Sequence, residues 1–198
     1  MGEIVVLRHG QTEWSLSGQH TSVTDLPLLP EGEEQARRLR GELGDRHFVA
    51  VWVSPRLRAR RTAELAGLTP TATDDDLVEL DYGGYEGRTT AEISEELGRP
   101  WTVWADGVVP GETPGETLPE VGRRVDRVLD RVRPRLADGG VALVAHGHVL
   151  RVLTARWLGL APADGALFAL PAGRVGVLGH EHDRPVLSGW ALPAPAGG

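Results

Sequence analysis

The chain has 198 residues, a formal net charge of −7 and no cysteine. Disulfides, thiolate metal sites, iron–sulfur clusters and a cysteine nucleophile are therefore excluded. All 21 residues counted as Lys or Arg are arginine, which removes a lysine Schiff base and a P-loop lysine, and the acidic balance argues against a nucleic-acid partner.

Ile4 to Leu7 is an unbroken apolar run, the pattern of a strand buried on both faces of a parallel sheet, and it stops abruptly at Arg8-His9-Gly10. Residues 15 to 30 read as a loop, and Glu31 to Leu43 as a helix with acids in its first turn and arginines later. Phe48 to Val53 is a second buried strand ending at Ser54-Pro55, followed by an Arg- and Ala-rich helix over Leu57 to Ala66. Thr71 to Asp76 is turn-rich, Leu77 to Tyr82 extended, and Thr89 to Leu97 helical. Residues 105 to 119 form an acidic, Pro/Gly-rich loop or lid. Pro119 to Leu136 is a long helix, Val141 to Ala145 a third buried strand ending at His146-Gly147-His148, and Val149 to Leu158 another helix. Three short extended pieces are expected between Leu167 and Leu192, then a disordered tail.

This alternation is that of an α/β protein with a mostly parallel sheet. The expected organisation is one domain over 1–192 with an inserted loop at about 101–117 and a tail at 193–198. The chain does not open on a basic segment followed by an apolar core, and it carries no membrane-length apolar run. A cytoplasmic protein without a membrane partner is expected, and a homodimer is compatible with the sequence.

Two buried strands end in His-Gly, and in open parallel sheets ligands sit outside the carboxyl ends of the strands. Arg8 and Arg58 are suited to grip an oxyanion through forked hydrogen bonds. His9, as a neutral imidazole, is a candidate nucleophile toward phosphorus. His146, if protonated, would add charge to the clamp. An alkoxide leaving group needs a proton, and Glu79 fits as a carboxylic acid kept protonated by burial or by phosphate charge. Arginines and histidines supply the positive charge, so neither a metal nor a cofactor is expected.

Leu7-Arg8-His9-Gly10-Gln11-Thr12-Glu13-Trp14 resembles the Arg-His-Gly signature of the histidine phosphatase, or phosphoglycerate mutase-like, superfamily. Ser54-Pro55-Arg56-Leu57-Arg58 resembles its second arginine motif, Glu79-Leu80-Asp81-Tyr82-Gly83 its acid motif, and Ala145-His146-Gly147 carries its second histidine. The resemblance implies a three-layer α/β/α sandwich. It also assigns the proton donor to Glu79 rather than Glu86, and a phosphate-binding arginine to Arg58. The loop Ser17-Gly18-Gln19-His20-Thr21-Ser22 is similar to that of the branch containing fungal sedoheptulose-1,7-bisphosphatase, with His20 in place of tyrosine and Ser22 in place of glycine. Ser15 and His148 depart from the mutase pattern, and the chain is short for a mutase lid.

The resemblance thus implies a metal-independent phosphatase acting on a small phosphorylated metabolite through a phosphohistidine. Its catalytic set is His9, Glu79, Arg8, Arg58 and His146, and its substrate-binding set Ser15, Gln19, Thr21, Ser22, Tyr82, Gly147 and His148. The alternatives are a phosphoglycerate mutase and a catalytically weak phospho-ligand binding protein. His180-Glu181-His182-Asp183 puts two histidines on one strand face without a third ligand, which reads as a surface turn rather than a metal site. Trp101 and Trp104 are candidates to wall the pocket, with core packing the favoured reading.

Overall fold

Alternate side chains of the Ile4–Leu7 run point to opposite sides of a sheet, and both sides are apolar because helices cover both. Ile4 and Val6, with Leu143 and Ala145, pack on Val121, Val125 and Val128; Val5 and Leu7, with Ala142 and Val144, pack on Leu39, Leu43, Ala59 and Ala63. This is the three-layer arrangement. The computed structural model describes residues 2–192.

Strands β1 (Ile4–Arg8), β2 (Phe48–Val53), β3 (Ala72–Thr73), β4 (Gly140–Ala145), β5 (Val175–Glu181) and β6 (Arg184–Leu192) form one sheet in the order β3-β2-β4-β1-β5-β6. The β3-β2, β2-β4 and β4-β1 pairs are parallel, whereas β5 and β6 join antiparallel. Helices α2 (Pro30–Leu43) and α3 (Leu57–Leu65) cover one face; α6 (Leu118–Val132) and α7 (Gly147–Trp157) cover the other. Shorter helices α1 (Glu13–Ser17), α4 (Thr90–Leu97) and α5 (Val103–Asp106) lie in the connections. Helix α6 starts at a capping box formed by Thr117 and Glu120, and its apolar positions follow the helical period.

β1 and β4 are neighbours in register, with Arg8 opposite Ala145. The chain leaving β1 runs to α2 on one face, and the chain leaving β4 enters α7 on the other. The crevice between two such strand ends is where ligands bind in doubly wound sheets.

Several local expectations differ from what is observed. Residues 15–30 are not all loop, because Thr12 and Ser15 form a capping box that nucleates α1. The Thr71–Asp76 stretch holds the two-residue β3, too exposed to show an apolar run. Leu77–Tyr82 is not a strand of the sheet. Leu77 closes a 3-10 helix (Asp75–Leu77), and the carbonyls of Asp76 and Val78 accept from the buried Arg124 guanidinium instead of a ladder. The C-terminal region contains two strands rather than three, joined by His182 and Asp183 at φ 46° and 64°. Those angles suit a two-residue hairpin turn. His182 therefore sits in the turn and shares no strand face with His180, whose ring packs on Trp157 at 4.9 Å. Among the described residues, no cluster of three His, Asp or Glu could hold a metal, and no helix is long and apolar enough to cross a membrane. The expected disordered tail lies outside the described residues.

Gly10 and Gly32 interlock the end of β1 with the first turn of α2. A Cβ on Gly32 would lie 2.1 Å from the Gln11 carbonyl oxygen, and one on Gly10 would lie 2.1 Å from the Gly32 carbonyl oxygen. In an open helix, Gly→Ala would stabilise by about 1 kcal/mol. Here the backbone clash outweighs that gain, so Gly32→Ala is expected to destabilise by about 1–3 kcal/mol, read as a lower urea midpoint. A midpoint equal to or above the parent's would contradict this packing.

Candidate active site

The ladder fixes the two histidines. His9 N–H donates to the Ala145 carbonyl (3.0 Å), and each histidine is the first residue past its strand, so the rings meet edge to face with centroids 5.2 Å apart. Their hydrogen bonds assign opposite tautomers. His9 Nδ1 lies 2.7 Å from the Gly10 carbonyl oxygen, an acceptor only, so Nδ1 carries the proton and Nε2 keeps its lone pair. His146 Nδ1 accepts from Arg58 Nε (3.1 Å), so its proton is on Nε2, 2.7 Å from Ser54 Oγ. Burial, together with Arg8 and Arg58, holds the pKa of His9 well below 6.5. Burial, together with Arg58 and His9, does the same for His146. The expectation of a protonated His146 is thus corrected: an arginine N–H already occupies its second nitrogen.

A cavity of about 170 Å³ opens at these strand ends. Arg8, His9, Ser15, Gln19, Thr21, Glu79, Tyr82, Gly147 and His148 line it, together with Trp14, Gly18, His20 and Arg151. Arg8 donates from Nη1 to the Leu170 carbonyl (2.6 Å), while its buried Nε has no partner among the described residues. Burial lowers the pKa of Arg8 and Glu79 partly offsets it. Gly147 permits this placement, since a Cβ there would come 3.1 Å from Arg8 Cζ. Glu79 lies at the start of α7: Oε1 accepts from Leu80 N–H and Val149 N–H (2.9 Å each), and Oε2 accepts from His148 N–H (3.0 Å). A carboxylate in that position complements the helix dipole.

Arg58 and His146 do not line the cavity but form the layer behind it. Arg58 is fully buried and spends its donors on the carbonyls of Thr24 (3.1 Å), Thr21 (3.2 Å) and Ser22 (3.3 Å) as well as on His146. Ser22 is not brought to the cavity either. Its N–H and Oγ are held by the Glu86 carboxylate, which also takes Thr24 N–H. Glu86 therefore shapes the 22–24 loop from below. Gln19 and Ser15 reach the cavity, although Gln19 donates to the Gly87 carbonyl and Ser15 caps α1. Tyr82 Oη lies 2.6 Å from His148 Nδ1, and burial raises the tyrosine pKa and lowers that of the histidine, so both partners are neutral.

Sequence reasoning missed His20 and Arg151 as lining groups. His20 packs against Tyr82 with centroids 4.6 Å apart, and burial lowers its pKa. Arg151 stands one helical turn after Gly147 and His148, a spacing that puts it on the same face of α7; that was the available signal. Trp104 packs against the core cluster as expected and also supports both His148 (centroids 5.0 Å apart) and the Arg151 guanidinium (4.5 Å).

The chain is 38% identical over 182 residues to an acid phosphatase of Mycobacterium tuberculosis, covering 90% of this chain and 87% of that protein. It is 35% identical over 246 residues to the sedoheptulose 1,7-bisphosphatase of Saccharomyces cerevisiae, covering 92% and 90%. The solved structure of an open-reading-frame product from Mycobacterium tuberculosis superposes with a TM-score of 0.90 at 36% identity, covering 98% of each chain. The family model for the histidine phosphatase superfamily, branch 1, matches residues 4–193. With strand-end histidines, arginines and acid arranged as described, the chain belongs to the histidine phosphatase superfamily (branch 1).

Proposed function

We propose that the protein is a phosphatase of small phosphorylated metabolites, with His9 as the nucleophile. The observation that carries this reading is the tautomer of His9: Nδ1–H is committed to the Gly10 carbonyl, and the ring lines the cavity shared by Arg8 and Glu79. In the first step Nε2 attacks phosphorus and the P–O bond to the leaving group breaks. The imidazole, now cationic, keeps its Nδ1–H on the Gly10 carbonyl, which supports the new charge. Arg8, through its unpartnered Nε, takes a phosphoryl oxygen. Arg58 acts from behind, holding His146 and the carbonyls of residues 21, 22 and 24, so that its charge lies under the phosphoryl site.

Glu79 gives its proton to the leaving oxygen. Oε2 is the oxygen with only one backbone donor and is the atom with room to carry that proton. In the second step water attacks phosphorus, the P–N bond breaks, Glu79 takes the water proton, and inorganic phosphate departs with His9 neutral again. The relatives named phosphatase and bisphosphatase support hydrolysis over transfer back to substrate.

His9→Ala is expected to abolish phosphate release while keeping the parent's melting temperature, and EDTA is expected to leave the parent's rate unchanged. Residual turnover near the parent's in the variant, or complete loss in chelator, would overturn the scheme. Glu79→Gln should cost about 10²–10⁴-fold on an alkyl phosphate. In kcat/KM, which excludes the dephosphorylation step where Glu79 takes the water proton, it should cost far less on p-nitrophenyl phosphate, whose leaving group departs without a proton. Equal losses in kcat/KM on the two esters would remove Glu79 from the acid role.

The pH dependence has a definite sign. Because burial and two arginines hold the His9 pKa well below 6.5, the nucleophile stays neutral as pH falls through 6.5. Corrected for the ester's own second ionisation near pH 6, the acid limb of kcat/KM is expected below pH 6.5. A histidine-like limb at 6.5 or above would contradict this assignment.

A further inference from the structure

A second cavity, of about 500 Å³, shares only Glu79 with the catalytic cavity. Ser22 and Val23, which do not line the catalytic cavity, line this one, as do Gly115 and Glu116 of the loop before α6. Four arginines (Arg56, Arg123, Arg124, Arg127) and four acids (Glu79, Asp81, Glu116, Glu120) face it. What it can bind therefore depends on which of these charges are already matched.

All four acids are engaged. Glu116 takes Arg124 through two bonds (2.7 and 2.8 Å). Asp81 accepts from Thr113 Oγ1 and from the N–H groups of Gly83 (2.9 Å) and Gly115 (3.2 Å). Glu120 is committed to the Thr117 N–H and hydroxyl, and Glu79 to three backbone N–H groups. Two arginines are engaged as well: Arg124 with Glu116 and two carbonyls, and Arg127 with Asp76. Arg56 and Arg123 differ. Neither guanidinium makes a hydrogen bond among the described residues. The nearest carboxylate oxygen to Arg123, on Glu120, is 3.8 Å away, and no carboxylate pairs with Arg56.

Arg56 is the more constrained of the two. It is partly buried, and its Nε is buried without a partner among the described residues. It stands two residues before Arg58, whose pKa is lowered first by burial and further by the like charge of Arg56. A guanidinium drawn out of water, with neither acceptor nor counter-ion, is costly, and a second buried guanidinium nearby adds to the cost. An oxyanion entering from solvent supplies both acceptor oxygens and opposite charge. The net charge of −7 repels anions in general, so an anion held here is held by these local contacts.

We propose that Arg56 and Arg123 form a second oxyanion site, separate from the catalytic cavity, for a tetrahedral dianion of the phosphate class. Arg56 is the preformed contact. Arg123, whose side chain is 65% exposed on α6, is free to swing onto the occupant. The site does not depend on the phosphatase reading, because its occupation requires no ester in the catalytic cavity and no turnover.

The test follows the Arg56 Nε–H resonance in the full chain labelled with 15N-arginine. Burial of Nε slows exchange of its proton, and the resonance is assigned by its absence from Arg56→Lys. Inorganic phosphate is titrated in, with sodium chloride at matched ionic strength as the comparison. The expected result is a saturable shift with phosphate, half complete at roughly millimolar concentration, and none with chloride. In Arg123→Glu, an exposed position where the melting temperature is expected to hold, the half-saturation should rise roughly 10-fold or more. A resonance that phosphate does not move would overturn the site. An equal movement with chloride would reduce it to screening and overturn it too. A half-saturation unchanged in Arg123→Glu would do the same, since the response would then come from phosphate in the catalytic cavity.

Discussion

The buried charge of Arg58 is the constraint on which the site is built. A guanidinium taken wholly out of water is costly unless its donors find acceptors. Its nearest carboxylate oxygen, on the half-exposed Asp25, is 3.8 Å away, so the compensation comes instead from neutral acceptors: three loop carbonyls and His146 Nδ1. That solution dictates two features at once. The chain at 21–24 must turn its carbonyls inward, which directs its N–H groups outward to Glu86, and His146 must take the tautomer that donates to Ser54. One arginine thereby sets both a loop conformation and a ring protonation state.

Glu79 is positioned by the same kind of linkage from the other side. Arg124, on α6, pairs through two nitrogens with Glu116 of the lid loop (2.7 and 2.8 Å) and with its third takes the carbonyls of Asp76 and Val78. Residue 79 follows directly, and its carboxylate then meets the first turn of α7. The 107–117 loop, the long helix and the segment leading to Glu79 are thus linked through one arginine, whose partner Glu116 is partly exposed. Removing Glu116 would leave the buried Arg124 guanidinium without its carboxylate, a costly loss for a charge out of water.

The sheet and the strand-end histidines were legible in the sequence because their signals are local. Runs such as Ile4–Leu7 and Val141–Ala145 are apolar on both faces and end abruptly in His-Gly, and such a pattern admits few alternatives. What stayed hidden depends on contacts distant in sequence. Nothing near Arg58 reveals that its donors go to residues 21–24 and 146, so a cavity-facing role was the natural expectation. Ser22 was misplaced because its partner, Glu86, lies 64 residues away. Arg151 reads as one of many helix-face arginines; only the cavity it lines distinguishes it from its neighbours. The 77–82 segment reads as extended, but Leu77 closes a 3-10 helix and the carbonyls of Asp76 and Val78 accept from one arginine of α6.

The two histidines show how one motif performs two tasks. Both are buried, both follow a parallel strand, and both are followed by glycine, so sequence alone makes them equivalent. Their difference lies in which nitrogen has a committed partner. His9 has a carbonyl at Nδ1, which forces the proton there and leaves Nε2 as a lone pair. His146 has an arginine N–H at Nδ1, which forces the proton to Nε2 and spends it on Ser54. A nucleophile must have an unspent lone pair, and a ring with both nitrogens engaged does not offer one. The division of labour between chemically identical side chains follows from the one being met by an acceptor and the other by a donor. Arg58, by supplying that donor, leaves His146 without an unspent lone pair, so that in the proposed scheme only His9 is free to attack.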